Sequence, residues 1–131
     1  MAYMPIGPNT KAFAVPVQFA SDAQVSEVTP AAQASTNAWA AVTGSDLDTQ
    51  MFGSISYTLV NAAQTIQWRV VAGNASDFSD ASIIQAAADV LAAGVASYSA
   101  SVAAWRYYRV EILDKVGGTH GTSTVRGIAK A

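Results

Sequence analysis

The chain has 131 residues, which is enough for a single domain with its own hydrophobic core. It contains no cysteine, which excludes disulfides, thiolate metal sites and cysteine nucleophiles. Charged residues make up only 12% of the chain, about half the usual share, whereas 51% are hydrophobic. A weakly charged surface favours association, so we expect a protein that enters an assembly.

The charges are few and unevenly distributed. Seven bases and nine acids give a net charge of −2, and the single base of residues 1–65 is Lys11. Nucleic-acid binding is disfavoured, because it requires several Lys or Arg side chains to neutralise phosphates. The apolar run at 12–20 is too short to span a bilayer and lacks a basic region before it. We therefore expect no nucleic-acid or membrane partner, and synthesis in a cytoplasm.

Residues 1–40 are predicted to form an extended N-terminal arm that precedes a β-sandwich domain at 41–131. All four prolines lie within the first 30 residues, and proline lacks the N–H that a β-ladder needs. Edge strands are expected around 14–19 and 24–28. Because the arm is too apolar to stay in water, it should lie on its own domain or on a neighbouring subunit. Its predicted partner-binding residues are Tyr3, Met4, Ile6, Phe13, Val15, Val17 and Phe19.

Two segments after residue 50 show the alternation of half-buried strands. Ile55, Tyr57 and Leu59 alternate with serine and threonine, which is the period of two expected when one face is buried. The run at 65–73 alternates in the same way and directs Trp68 into the core. The four residues between the two runs predict a hairpin.

The C-terminal part predicts a second hairpin. Tyr108, Val110 and Ile112 share one face of a strand, a glycine-rich turn follows at 117–121, and the run at 123–130 supplies the final strand.

The segment at 80–104 fits either a helix or two strands joined by a turn at 92–94. Strands are favoured because a lone helix would leave neighbouring sheet edges open. The sequence thus predicts an all-β fold, an antiparallel β-sandwich or jelly roll of about seven or eight strands after the extended arm.

No set of residues predicts catalysis, a cofactor or a metal site. The single histidine, His120, lies in a glycine-rich turn without an assignable partner. The aspartates of the runs SDLD and DFSD do not match a calcium-loop spacing and are expected to bond nearby backbone N–H groups. We predict no enzyme, since one would need a carboxylate pair assembled by folding, such as Asp89 with Glu111.

The run Trp105-Arg106-Tyr107-Tyr108-Arg109 is the most distinctive local feature. Trp, Tyr and Arg dominate interface hot spots, although a core strand whose outward arginines cover apolar surface fits the run as well. If Tyr108 faces inward, the alternation places Trp105, Tyr107 and Arg109 together on the outward face. These three are the predicted partner-binding residues outside the arm.

The strand WRYYRV at 105–110 and the end GTSTVRGIA at 121–129 carry a resemblance to small β-sandwich structural proteins of tailed bacteriophages. The resemblance covers residues 49–131. It implies a virion protein, assembled in the host bacterial cytoplasm, that decorates and stabilises the capsid and has no catalytic residues. Its implied partners are the major capsid protein and copies of itself, with a trimer as the favoured homo-oligomer.

Two alternatives stay open from the sequence. The first is a neck or tail adaptor or fibre module of the virion. The second is a carbohydrate-binding module that uses Trp105, Tyr107 or Trp39 as a stacking platform.

Overall fold

The computed structural model describes residues 25–50, 52–115 and 121–131, and this part of the chain contains ten β-strands and no helix. Every strand pairing is antiparallel, which confirms the predicted all-β antiparallel architecture. The strands are β1 (Val25–Val28), β2 (Gln33–Ala34), β3 (Ala40–Ala41), β4 (Leu47–Asp48), β5 (Ser54–Asn61), β6 (Ile66–Gly73), β7 (Ser82–Val90), β8 (Val95–Ala100), β9 (Tyr107–Asp114) and β10 (Thr122–Lys130).

The strands form two sheets that pack as a sandwich. The first sheet has the order β1-β10-β5-β8, with β2 pairing with the beginning of β10. The second sheet has the order β3-β9-β6-β7, with β4 pairing with the beginning of β9. Among the described strands, β8 and β7 are therefore edge strands of their respective sheets.

Alternation along the strands fills the space between the sheets. Ile55, Tyr57 and Leu59 of β5 are buried, as their period of two predicted. Burial of each large apolar side chain contributes about 1.5–3 kcal/mol to folding. The other strands add the buried side chains of Ile66, Trp68, Val70, Val90, Tyr108, Val110, Ile112 and Val125.

Both predicted hairpins are wrong. Strand β5 pairs with β10 and β8 of the first sheet, whereas β6 pairs with β7 and β9 of the second. Strands β9 and β10 also lie in different sheets. A strand with one buried face can stack across the core from its sequence neighbour instead of pairing beside it, as β6 does relative to β5 and β10 relative to β9.

The segment at 80–104 forms two strands, β7 and β8, as favoured from the sequence. They belong to different sheets, with β7 beside β6 and β8 beside β5. The pairing of β7 is interrupted by register shifts around Val70, whereas that of β8 is regular along its length. The two edges therefore differ in how well they could accept another strand.

Strands β1 and β2 fall within the residues predicted as an arm, and they join the first sheet. Strand β1 forms its edge, with Val25 opposite Lys130. Val28 packs against the core. The edge strand expected around 24–28 is therefore present from Val25, and the one expected at 14–19 lies outside the described residues.

The hydroxyl of Tyr57 joins the two sheets inside the sandwich. Its oxygen lies 2.6 Å from the carbonyl oxygen of Ser45 and 2.9 Å from that of Tyr108, so the two acceptors share its one proton. Burial raises the pKa of Tyr57 well above its usual range. Gly127 makes room for the ring, since a Cβ at that position would lie 2.5 Å from Cε1 of Tyr57.

Candidate partner-binding surface

The outward side of the second sheet carries a cluster of arginine and aromatic side chains around one carboxylate. Strand β9 supplies Tyr107, Arg109 and Glu111, and β6 supplies Arg69, which lies opposite Glu111 in the register. We call this surface the arginine–aromatic face; its members are Trp39, Arg69, Phe78, Arg106, Tyr107, Arg109 and Glu111.

Glu111 is shared by two arginines. Its Oε1 accepts a hydrogen bond from Nε of Arg69 at 2.7 Å and forms an ion pair with Nη2 of the same arginine, also at 2.7 Å. Its Oε2 accepts from Nη2 of Arg109 at 2.9 Å and from Nε at 3.3 Å. The Glu111 side chain is only 10% exposed, so these charge-assisted bonds compensate for its lost hydration. The carboxylate therefore fixes both guanidinium groups on the sheet.

Each arginine of the face also lies over an aromatic ring. The guanidinium carbon of Arg69 is 4.2 Å from the centre of the Trp39 ring, and that of Arg109 is 4.3 Å from the Phe78 ring. Such distances are those of cation–π contacts. The guanidinium of Arg106 lies over the ring of Tyr107 in the same way, at 4.9 Å. The result is a layer of rings and guanidinium groups that is ordered without a partner.

Phe78 reaches the face from a strained turn between β6 and β7. Its φ is +59°, a left-handed conformation that large side chains rarely adopt. Asp80 holds this turn by accepting hydrogen bonds from the N–H groups of Asn74 and Ala75, and Asp77 accepts one from the N–H of Ser79. These bonds confirm the turn role predicted for the two aspartates of the run DFSD, Asp77 and Asp80. The ring of Phe78 meets that of Tyr107 edge to face, with centres 6.4 Å apart.

A second ion pair borders the face. Asp48 accepts hydrogen bonds from Nε and Nη2 of Arg106, each at 3.2 Å, and these bonds lower the pKa of Asp48. Both side chains are more than two fifths exposed, so the pair contributes little to stability. The nearby Asp46 differs, because partial burial raises its pKa while Arg109 opposes the shift.

The structure brings together some of the predicted binding residues and separates others. Tyr107 and Arg109 lie on the arginine–aromatic face, as predicted. Trp105 does not share it: β9 begins only at Tyr107, and the half-buried Trp105 packs against the hydrophobic core. The arm residues Tyr3, Met4, Ile6, Phe13, Val15, Val17 and Phe19, and also His120, lie outside the described residues.

The sequence did not identify Trp39, Phe78, Arg69 and Glu111 as parts of one surface. The alternation of β6 and β9 placed Arg69 and Glu111 on outward faces, but it could not show that these strands are neighbours. Trp39 and Phe78 come from irregular segments, for which alternation gives no orientation.

Asp89 and Glu111, which were considered as a catalytic pair, each bind other side chains: Glu111 binds the two arginines described above. Asp89 accepts hydrogen bonds from Gln67 and Lys115, and these bonds lower its pKa. Within residues 25–50, 52–115 and 121–131, no group of three or more His, Cys, Asp or Glu side chains could hold a metal ion. No helix in that part of the chain is long and apolar enough to cross a membrane.

Comparison with known proteins identifies the fold. No protein-family model and no curated protein sequence matches the chain. Among solved structures it is similar to the SPBc2 prophage-derived protein YomS, with a TM-score of 0.53, 11% identity, and coverage of 81% of this chain and 92% of YomS.

Two further structures superpose less well. PirA has a TM-score of 0.48 and 12% identity over 77% of this chain and 90% of its own. A protein of the Bacillus endospore appendages, described as disulfide-linked pili, has a TM-score of 0.46 and 12% identity over 82% of this chain and 87% of its own. The chain therefore shares its β-sandwich fold with a prophage-derived protein, and that assignment rests on YomS.

Proposed function

We propose that this protein is a structural component of a bacteriophage virion that binds the major capsid protein as a decoration protein. It acts through surface contacts, together with copies of itself, and takes up its place in the virion after assembly in the host cytoplasm. The arginine–aromatic face is the observation that carries this proposal.

Preorganisation is what makes the face suitable for binding. Glu111 and the aromatic rings already hold Arg69 and Arg109, so a partner would order few additional side chains. Arginine and aromatic side chains that meet in one half-buried patch are typical of interface hot spots. The resemblance of the 105–110 and 121–129 segments to phage structural proteins, and the fold shared with a prophage-derived protein, support a virion as the setting.

The arrangement of the rings favours a protein partner over a carbohydrate. Sugar-binding platforms present open aromatic faces. Here Trp39 and Tyr107 each carry a guanidinium group over the ring, and Trp105 packs against the core. A protein of the neck or tail would use the same surface. The copy number of the protein per particle separates the two locations: hundreds of copies support the capsid, and a dozen or fewer support the neck or tail.

Co-sedimentation with emptied capsids that lack this protein tests the proposal. Arg109→Ala removes a guanidinium group from the centre of the face, and we expect it to weaken capsid binding by about tenfold to a hundredfold. The matched control is Arg126→Ala, which removes an exposed arginine from the outward side of the first sheet. Equal binding by wild type and Arg109→Ala, with both folded by circular dichroism, would contradict the proposal.

The predicted contribution of the arm has its own variant. Deletion should stop at residue 24, because β1 begins at Val25 and belongs to the first sheet. We expect the shortened chain to lose capsid binding. Unimpaired binding would show that the arm does not contribute to capsid binding, and it would leave the role of the arginine–aromatic face untouched.

A further inference from the structure

The edge of the first sheet at β8 has the features of an open docking edge. The sequence of β8 is VASYSA, without charge or proline, and its pairing with β5 shows no register shift. Proteins usually protect sheet edges with charges, prolines or bulges. Strand β7, the corresponding edge of the second sheet, has such irregularities.

The unused backbone groups of β8 can be assigned. The N–H of Asn61 donates to the carbonyl oxygen of Gly94 at 2.9 Å, in the register that continues as Val60 opposite Val95. Bonding alternates along an antiparallel ladder, so the backbone groups of Val95, Ser97 and Ser99 point away from β5. Within residues 25–50, 52–115 and 121–131, no strand pairs with this side of β8, so three of its residues can accept an additional strand.

Exposed apolar side chains surround the same edge. Val95 is 65% exposed, and its neighbour Val60 on β5 is 46% exposed. Leu91, in the connection that leads into β8, is 68% exposed. An apolar patch beside unpaired backbone groups is the combination that β-strand addition uses, since hydrogen bonds give affinity and side-chain contacts give register.

We propose that the segment at 13–19 of a second copy of this chain pairs with β8 as an added strand. The segment reads FAVPVQF, in which four large apolar residues alternate with small or polar ones. Pro16 has no N–H, so it must belong to the set of residues that points away from β8. The remaining set, Phe13, Val15, Val17 and Phe19, then supplies the hydrogen bonds.

The side chains of the segment fit that arrangement. In an antiparallel ladder, residues that exchange hydrogen bonds lie opposite each other and point to the same face. Val15 and its large neighbours would then lie on the outward face beside Val95 and extend the apolar row that Val60 begins. Ala14 and Gln18 would point to the other face.

The place where the described chain begins favours a second copy over the same one. Val25 starts β1, which is the opposite edge of the same sheet from β8. The two edges are three strand spacings apart, about 14 Å, so the chain's own segment would have to cross the outward face. The segment at 13–19 can reach the β8 of a neighbouring copy without crossing the outward face, provided that this β8 lies next to β1. Such a head-to-tail contact generates a ring or a filament.

Crosslinking of single cysteines tests the pairing in the full chain, which has no cysteine of its own. One copy carries Val15→Cys or Val17→Cys and a tag that changes its size; the other carries Ser97→Cys. We expect a mixed, disulfide-linked dimer. The matched control is Ala86→Cys, an exposed position on the competing edge strand β7. Crosslinking to residue 86 but not to residue 97 would overturn the proposal.

Placing both cysteines in one chain distinguishes the two possible donors. A dilute double variant should form intermolecular links; a disulfide closed within single chains would show that the segment covers its own β8, which overturns the second-copy assignment.

Sedimentation of the untagged chain gives an independent measurement. Ser97→Pro removes an N–H that β5 does not use, so the variant should fold and should self-associate at least tenfold more weakly than wild type. Ser97→Ala keeps the N–H and should behave as wild type. A monomeric wild type at about 100 μM, or a folded Ser97→Pro variant that associates normally, would overturn the proposal. The inference rests on the proposed function only in placing the self-association in a virion. The measurements use no capsid, so they can fail while the proposed capsid binding still holds.

Discussion

The two outward faces of the sandwich are built from different chemistry. The first sheet presents mainly hydroxyl groups, including those of Ser56, Thr58 and Ser97, and its ion pair between Arg126 and Glu27 is well exposed. The second sheet presents the arginine–aromatic face, with a carboxylate that is only 10% exposed. In a chain with 12% charged residues, organised charge is concentrated on one side. The comparison shows that the ordered layer of arginines and aromatic rings belongs to the second sheet.

Removing the central carboxylate should have the largest effect. Glu111→Ala leaves Arg69 and Arg109 half-buried without their shared acceptor, and we expect a loss of about 3 kcal/mol in the free energy of unfolding. The matched change on the first sheet, Glu27→Ala, should cost less than about 1 kcal/mol. Urea unfolding of the two variants measures both values. Equal losses would mean that the two faces do not differ energetically.

The hydroxyl of Tyr57 connects the two sheets inside the sandwich, and the variant Tyr57→Phe measures how much this connection stabilises the fold. The variant removes the hydroxyl proton that the carbonyl oxygens of Ser45 and Tyr108 share, so we expect a loss of about 1–2 kcal/mol. Tyr107→Phe, on the outward face, is the control.

The same variant has a signature at alkaline pH. Because burial raises the pKa of Tyr57, the unfolded chain releases the phenolic proton near pH 10 while the folded chain retains it. The contribution of Tyr57 to the free energy of unfolding is therefore fully present below pH 10 and decreases as the pH rises above 10. The decline should be shallower in Tyr57→Phe, and an unchanged slope would contradict the assignment.

Replacing arginine by lysine sharpens the comparison between the sheets. Arg69→Lys loses both the planar contact with Trp39 and the hydrogen bond from Nε to Glu111, so we expect a cost of about 1 kcal/mol. Arg126→Lys on the first sheet should be close to neutral. Thermal unfolding gives the difference, and the NMR signal of the Trp39 indole should shift only in Arg69→Lys.

The smallest effect is expected at the border of the face. The hydrogen bonds from Arg106 lower the pKa of Asp48 below its ordinary value of 3.8. The pair is intact above that value and is lost as the pH falls through the lowered one. In Arg106→Gln the Asp48 pKa should return toward 3.8 in an NMR titration. Asp77, whose pKa is lowered by bonds to Ser79, should not change.

The sequence predicted the sheet content and interior of the sandwich well. A period of two shows which side of a strand is buried, and Ile55, Trp68 and Tyr108 were placed correctly for that reason. The same period does not show which strand lies alongside, and both hairpin predictions failed there. Two strands that follow each other in sequence have the same alternation whether they pair or stack across the core.

The candidate surface was predicted only in part, for a related reason. Tyr107 and Arg109 were found from their alternation with Tyr108. The prediction for Trp105 failed because it applied strand alternation to a residue that precedes β9, where the chain is not yet a strand. The position of Phe78 depends on a left-handed backbone conformation that no pattern in the sequence marks.

The central position of β10 has a consequence for how the protein is made. This strand lies between β1 and β5, so Val25 waits for a partner, Lys130, that is synthesised more than a hundred residues later. At the usual pace of translation, about 5–20 residues per second, the first sheet lacks its central member for several seconds. Pairings between such distant residues also form slowly. The first sheet can therefore be completed only after residues 122–130 have emerged from the ribosome, whereas the strands of the second sheet all precede residue 115 and are synthesised earlier.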